Sequence, residues 1–222
     1  MAALVGIDRD GTIIKDTGNR QYLGRFDGWE NKIEFLPGVI KGIKALRKIP
    51  GIKIYMISNQ TGVGIADFPS LTEERAHKVC EEVLERLKKE GAALDGYMFC
   101  PHISKDYMKA HPERSFNSAY VCECGCVKPR PGMLFAAMEK EGMDKGKTRV
   151  YMIGDRASDV ETGLNARGIG ILVPSESQRG QDEKVKAMKN ASAFIANDFE
   201  GAADLILRNE SASTGRKTKY SK

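Results

Sequence analysis

The chain has 222 residues, 41% hydrophobic and 29% charged, which is the balance of a soluble globular protein of one domain and excludes a disordered one. No apolar run approaches the roughly 20 residues of a membrane-spanning helix, and the first strand-like run begins almost at Met1, so no signal peptide, no membrane and a cytoplasmic location are expected. The net charge of +5 is concentrated at the end, where Arg208, Arg216, Lys217, Lys219 and Lys222 oppose Glu210 alone; the body is near neutral, so no nucleic acid partner is expected.

Strand-like and helix-like runs alternate. Ala3–Ile7 reads as a buried strand that aims Asp8 and Asp10, spaced i and i+2, at one point, with Gly11 and Thr12 directly after. Two acids in one tight turn repel unless a cation sits between them, and a hard divalent ion with oxygen ligands, most simply magnesium, fits. After Leu36-Pro37-Gly38, the positions Val39, Ile43, Leu46 and Ile49 form a helical stripe. A second strand is expected at 53–58, followed by Ser58-Asn59-Gln60-Thr61-Gly62. Ser70 and Glu73 have the spacing of a capping box before a long helix with Ala76, Val79, Cys80, Val83, Leu84 and Leu87 inside, closed by Gly91. His77 is expected to face out of that helix and to be inert.

A short strand at 97–100 is followed, after a long loop, by Lys128-Pro129 and a helix that Pro131 opens and Gly142 closes. The strand at 150–153 leads into Gly154-Asp155-Arg156-Ala157-Ser158-Asp159 and a further helix. A strand at 170–173, a weak helix near 184–188, a strand near 193–195 and a helix at 199–207 complete the alternation. This pattern predicts an α/β fold: a doubly wound, Rossmann-like parallel sheet with helices on both faces and sites at the carboxyl ends of the strands. One domain over 1–207 is expected, then a basic, flexible tail over 208–222. Two regions, 15–35 and 101–128, exceed ordinary connection length and read as functional loops, neither long enough to fold as a separate cap.

Four polar clusters thus follow strand ends. Singly, each has an ordinary reading: Asp8 or Asp10 capping a turn, Ser58-Asn59 as an N-cap pair, Lys128 as a surface cation, Asp155 and Asp159 at a helix start. That reading does not account for all four falling at strand ends. Together, in order, they resemble the motifs of the haloacid dehalogenase superfamily of phosphatases, over most of the chain from Ala3 to about Val173. The resemblance implies Asp8 as nucleophile through an aspartyl-phosphate, and Asp10 as general acid and base with a pKa raised relative to that of Asp8. It implies magnesium held by Asp8, the Asp10 carbonyl and Asp155, with Asp159 in support. Ser58 would bind a phosphoryl oxygen, and Lys128 would stabilise charge on the transferring group.

Cysteines form a second pattern. Cys80 lies on an apolar helix face and reads as core. Cys100-Pro101-His102 and Cys122-Glu123-Cys124-Gly125-Cys126 suit a closed tetrahedral zinc site in a reducing compartment. Cys-x-His, then Cys-x-Cys two residues before a Lys-Pro, resembles the zinc-bearing D-glycero-D-manno-heptose 1,7-bisphosphate phosphatases and their histidinol-phosphate phosphatase relatives. The ligands would be Cys100, His102, Cys124 and Cys126, with Cys122 as a competing alternative and zinc in a structural role. The resemblance makes the loop after Lys15 a substrate contact, with Asp16, Thr17, Gly18 and Asn19 as candidates beside Asn59, Gln60 and Thr61. Phe26 and Trp29 are candidates to cover the site or to pack half-buried, and His111 is read as exposed. Arg156 is a candidate for a second phosphate. Those families usually have arginine immediately before the catalytic lysine. Val127 stands there in this chain, and Arg130 is the candidate replacement. The loop between His102 and Cys124, with Lys105, Lys109, Arg114 and Asn117, is also longer than the pattern implies.

The expected function is a magnesium-dependent phosphomonoesterase acting on a small phosphorylated metabolite, first a heptose bisphosphate. Histidinol phosphate, a phosphotransfer reaction and a non-catalytic phosphate-binding module are the alternatives. A monomer or small homo-oligomer is expected.

Overall fold

The computed structural model describes residues 2–16 and 22–215. Three substrate candidates, Thr17, Gly18 and Asn19, lie outside these, as do the last four basic residues of the chain. Six strands, β1 (Ala3–Ile7), β2 (Ile52–Asn59), β3 (Gly96–Cys100), β4 (Arg149–Gly154), β5 (Ile169–Leu172) and β6 (Ala193–Ile195), form one sheet in the order β3-β2-β1-β4-β5-β6. All pairings are parallel. The chain winds outward from β1 to β3, then returns to place β4 on the other side of β1. The carboxyl end of β1 is therefore the switch point where such folds open a crevice.

Among the described residues six α-helices lie between strands, α1 (Val39–Leu46), α2 (Glu73–Lys89), α3 (Lys105–Ala110), α4 (Gly132–Lys140), α5 (Ala157–Asn165) and α6 (Gln181–Ala187), and α7 (Phe199–Gly215) follows β6. Side chains alternate across the sheet. Val5 and Ile7 join Ile54, Met56, Tyr151 and Ile153 under α1, α2 and α7, where Val39, Ile43, Val79, Val83, Phe199 and Ile206 are buried. Leu4, Tyr55, Ile57, Val150 and Met152 face the other way, against Met133, Leu134, Ala137 and Met138 of α4. Both faces of the sheet are covered, which is why β1 reads as an unbroken apolar run. Among the described residues no helix is long and apolar enough to cross a membrane.

Three expectations need correction. The cap of α2 is Thr72, whose hydroxyl accepts from the Arg75 N–H at 3.1 Å, not Ser70. Ser70 and Glu73 do have capping-box spacing, but the backbone turns helical only at Glu73, so Thr72 takes the boundary. The loop at 101–128 contains a helix, α3, capped by the Ser104 hydroxyl. Residues 208–215 are not a flexible tail: α7 continues to Gly215 because Glu210 is buried and accepts from Arg149 and Tyr151 of β4.

Candidate active site

The acids of the first motif leave β1 in a tight turn. The Asp8 N–H donates to the Ile153 carbonyl, which extends the sheet by one residue and brings Asp8 beside the end of β4. Gly11 then turns at φ 83°, and a Cβ there would overlap the Asp155 carboxylate. Both the positive φ and the close approach require glycine. On β4, a Cβ at Gly154 would collide with the Asp159 side chain. Asp159 folds back over the start of α5, where its Oδ2 accepts from the Arg156 N–H at 3.0 Å.

This geometry gathers Asp8, Asp155 and Asp159 so that one carboxylate oxygen of each lies within 4.8 Å of the others, all three buried. Lys128 reaches the same point from the 101–128 loop. Its Nζ donates to Asp8 Oδ1 at 2.5 Å and to the Ile57 carbonyl at 3.1 Å. It also lies 2.6 Å from Asp159 Oδ1 in a buried ion pair. Asn59 places it: the Asn59 Oδ1 accepts from the Lys128 N–H at 3.0 Å while Nδ2 donates to the Lys128 carbonyl at 3.4 Å.

Three buried carboxylates against one ammonium leave an excess of negative charge. Burial pushes the Lys128 ammonium down, but Asp159 and Asp8 outweigh it, and its pKa rises. Burial pushes the Asp8 carboxyl up, to about 8, against the pull of Lys128 and with Asp159, Asp155 and Asp10 adding to the push. Asp155 is pushed up to about 6 by burial, opposed by the hydroxyl of Ser175, which donates to its Oδ2 at 2.6 Å. Its other oxygen, Oδ1, is buried with no hydrogen-bond donor among the described residues and lies 4.0 Å from Arg156 Nε. An oxygen-only donor set with surplus charge and a bare buried oxygen fits a hard divalent cation such as magnesium.

Asp10 turns away from this cluster. Its carboxylate accepts from Arg9 Nε at 3.0 Å and Nη2 at 2.8 Å, and from Gln60 Nε2 at 3.1 Å. Gln60 also donates to Ser58 Oγ at 2.8 Å and accepts from Arg9 at 3.0 Å. Arg9 is 1% exposed. It was not foreseen as a functional residue, because a cation between two acids reads as a local bystander.

A cavity of about 740 Å³ opens over the cluster, lined by Asp8, Asp10, Asp16, Ser58, Asn59, Gln60, Thr61, Lys128 and Arg156 among others. Other expected residues are elsewhere. Arg130 does not line it: its guanidinium donates to Glu123 at 2.6 Å and to the Cys124 carbonyl at 2.5 Å, so it braces the cysteine loop. Trp29 is buried in the core and Phe26 is 50% exposed under Arg25; neither lines the cavity. His111 does line it, half-buried and stacked on Tyr107 at 4.1 Å, in place of the exposed position expected. Tyr22, Tyr107 and Arg114 were not foreseen there. His77 is exposed with its Nδ1 2.8 Å from the Tyr97 hydroxyl, and Cys80 is buried core.

The second cluster joins Cys100, His102, Cys124 and Cys126. Cys100 Sγ lies 3.1 Å from Cys126 Sγ, 3.6 Å from Cys124 Sγ and 3.5 Å from His102 Nδ1, and His102 Nδ1 lies 3.2 Å from Cys126 Sγ. A tetrahedron with metal–sulfur arms of about 2.3 Å has edges of about 3.8 Å. To reach it Cys100 and Cys126 would part by about 0.7 Å and Cys100 and Cys124 by about 0.2 Å. The 3.1 Å contact with Cys100, opposed by burial, holds Cys126 well below the usual thiol range, at about 5, a ready thiolate. Cys122 is exposed and outside the group.

The HAD-hydrolase-like family model matches residues 125–202. The D-glycero-beta-D-manno-heptose-1,7-bisphosphate 7-phosphatase of Photorhabdus laumondii is 33% identical over 192 residues, 86% of this chain and 88% of that one. The protein of that name from Escherichia coli K12 is 32% identical over 205 residues, 92% of this chain and 93% of that one. The solved D,D-heptose 1,7-bisphosphate phosphatase of B. bronchiseptica, complexed with magnesium and phosphate, shares the fold with a TM-score of 0.69 at 19% identity, over 93% of this chain and 99% of that one. The chain belongs to the haloacid dehalogenase-like hydrolases, in the family of the heptose-1,7-bisphosphate 7-phosphatases.

Proposed function

We propose that this chain is a magnesium-dependent phosphomonoesterase that removes one phosphate from a heptose bisphosphate. The buried cluster of Asp8, Asp155, Asp159 and Lys128, of which Asp8 and Lys128 line the cavity, carries this reading. A site that only held phosphate would have no use for three buried carboxylates, which repel an anion. Family membership supplies the substrate class.

In this reading an Asp8 oxygen attacks phosphorus, the P–O bond to the sugar breaks, and Asp10 gives its proton to the departing oxygen. Asp10 then takes a proton from water, whose oxygen attacks the aspartyl-phosphate and frees Asp8 and orthophosphate. Arg9 and Gln60 hold the Asp10 carboxylate in place, and Ser58 and Lys128 receive the phosphoryl oxygens. Asp8, Asp155 and the Asp10 carbonyl would hold magnesium, with Asp159 in support; when bound it neutralises the phosphoryl oxygens that would otherwise repel Asp8. Zinc on Cys100, His102, Cys124 and Cys126 would be structural, pinning the loop that delivers Lys128. Five free cysteines suit a reducing compartment, and we place the enzyme in the cytoplasm.

The test is release of orthophosphate from D-glycero-β-D-manno-heptose 1,7-bisphosphate with and without magnesium. Turnover with magnesium, and a loss of at least about 10³-fold in Asp8→Asn with the fold intact by circular dichroism, is expected. Undiminished turnover by Asp8→Asn, or none by the unaltered chain, would overturn the reading.

A further inference from the structure

The two loops that break the strand–helix alternation meet at one wall of the cavity. The first supplies Tyr22; the second supplies Ser104, Tyr107, His111 and Arg114. Arg114 Nη1 donates to the Tyr22 hydroxyl at 3.0 Å and to the Tyr107 hydroxyl at 2.8 Å, and the two hydroxyls are 3.0 Å apart. The Arg114 side chain is 10% exposed, and its acidic neighbour is Glu113, 3.6 Å from Nε and half in solvent.

Donor counting shows what this wall lacks. Both phenol oxygens accept from the guanidinium. One phenolic proton is spent between the rings, and Tyr107 also has Thr61, another cavity residue, as a side-chain partner. His111 Nδ1 is 2.9 Å from the Tyr107 carbonyl and donates to it, so Nε2 of the neutral ring is an acceptor, suited to a sugar hydroxyl. The wall therefore offers a cation set among neutral hydroxyls and an imidazole, and it suits a negatively charged group. Of the other arginines near the site, Arg9 is held by Asp10 and Gln60, and Arg130 by Glu123 and the Cys124 carbonyl; Arg156 lines the cavity half-exposed, 4.0 Å from Asp155, on the side of the acid cluster.

We propose that Arg114, steadied by the Tyr22 and Tyr107 hydroxyls, is the residue that reads the second phosphate of a bisphosphorylated sugar while the first lies against Asp8. This rests on the phosphatase reading. A cavity of about 740 Å³ falls within the ordinary range for sites that enclose a small ligand. The cation comes from the loop at 101–128 that breaks the strand–helix alternation, so the specificity belongs to that loop.

The test separates binding from turnover. Calorimetry on the Asp8→Asn protein in magnesium buffer compares D-glycero-β-D-manno-heptose 1,7-bisphosphate with the corresponding 7-phosphate, which lacks only the second anion. The bisphosphate should bind at least about tenfold tighter. Adding Arg114→Ala should erase that preference and leave the 7-phosphate affinity within about twofold. Tyr22→Phe, which keeps the ring and its packing, should reduce the preference in the same direction. A preference that survives both changes, or a loss shared equally by the two ligands, would overturn the proposal. Failure of the phosphatase reading would look different: the unaltered chain would release no orthophosphate from either sugar, whatever the calorimetry showed.

Discussion

Asp8 and Asp155 hold a charge problem that the protein alone does not solve. Burial pushes their carboxyls up to about 8 and about 6, from an ordinary 3.8. Between those limits the folded, magnesium-free chain binds more protons than the unfolded one. Stability therefore rises as pH falls from about 8 toward the ordinary carboxylate range. Thermal unfolding in magnesium-free buffer should give a higher Tm at pH 6 than at pH 8, and saturating magnesium should flatten the difference. Asp8→Asn, which cannot take up the proton, should lose most of the slope; an unchanged slope in that variant would remove Asp8 from the account. The residue types of this cluster were legible in the sequence, because acids at strand ends in a parallel fold converge by topology. The orientation of Asp10 was not. It depends on Arg9 and Gln60, and the Gln60 contact spans 50 positions of the chain. Arg130 was misplaced for a similar reason, since its partner Glu123 offers no periodic or motif signal.

At the scale of elements, the loop at 101–128 is held in two ways. Its apolar side chains Ile103, Tyr107, Phe116 and Tyr120 pack with Val63, Ile65, Phe68 and Leu71. Backbone bonds tie it to the turn after β2, with the Asn117 N–H donating to Gly64 and the Ala66 N–H to Ser115. The cysteine cluster pins its two ends. Metal binding to such a cluster is coupled to ordering of the chain that carries it. Removal of zinc by a chelator should therefore raise amide exchange across 101–128 by at least about tenfold and leave β1 and β4 protected. A uniform rise, or none, would show that the apolar packing suffices. Cys126→Ser should abolish zinc binding, whereas Cys122→Ser should retain one zinc per chain by metal analysis. The sequence contains two overlapping Cys-x-Cys frames, 122 with 124 and 124 with 126. Spacing alone cannot choose between them; burial of Cys100 and the path of the loop do.

At the scale of the molecule, the order of strands follows from the alternation of short apolar runs with helical stripes, and that much was readable. The extent of α7 was not. After Leu207 the sequence turns polar, and the apolar pattern stops. What continues the helix is a single acid: Glu210 accepts from Arg149 Nε at 2.6 Å and from the Tyr151 hydroxyl at 2.7 Å, and also pairs with Arg149 Nη2. Its partners are about 60 residues earlier, so no local window holds the signal. Breaking a fully buried pair by removing one partner costs about 3–5 kcal/mol. Arg149 is 24% exposed and regains some water, so Glu210→Ala should cost about 2–3 kcal/mol in urea unfolding. Arg208→Ala, on an exposed position of the same helix, should change stability by less than about 0.5 kcal/mol. Arg149 opens β4 and Asp155 follows its far end, so the loss should fall on stability while kcat at a permissive temperature stays within about twofold. An equal loss in kcat would mean that the far end of β4 shifts with its start, and that α7 helps to hold the acids in register.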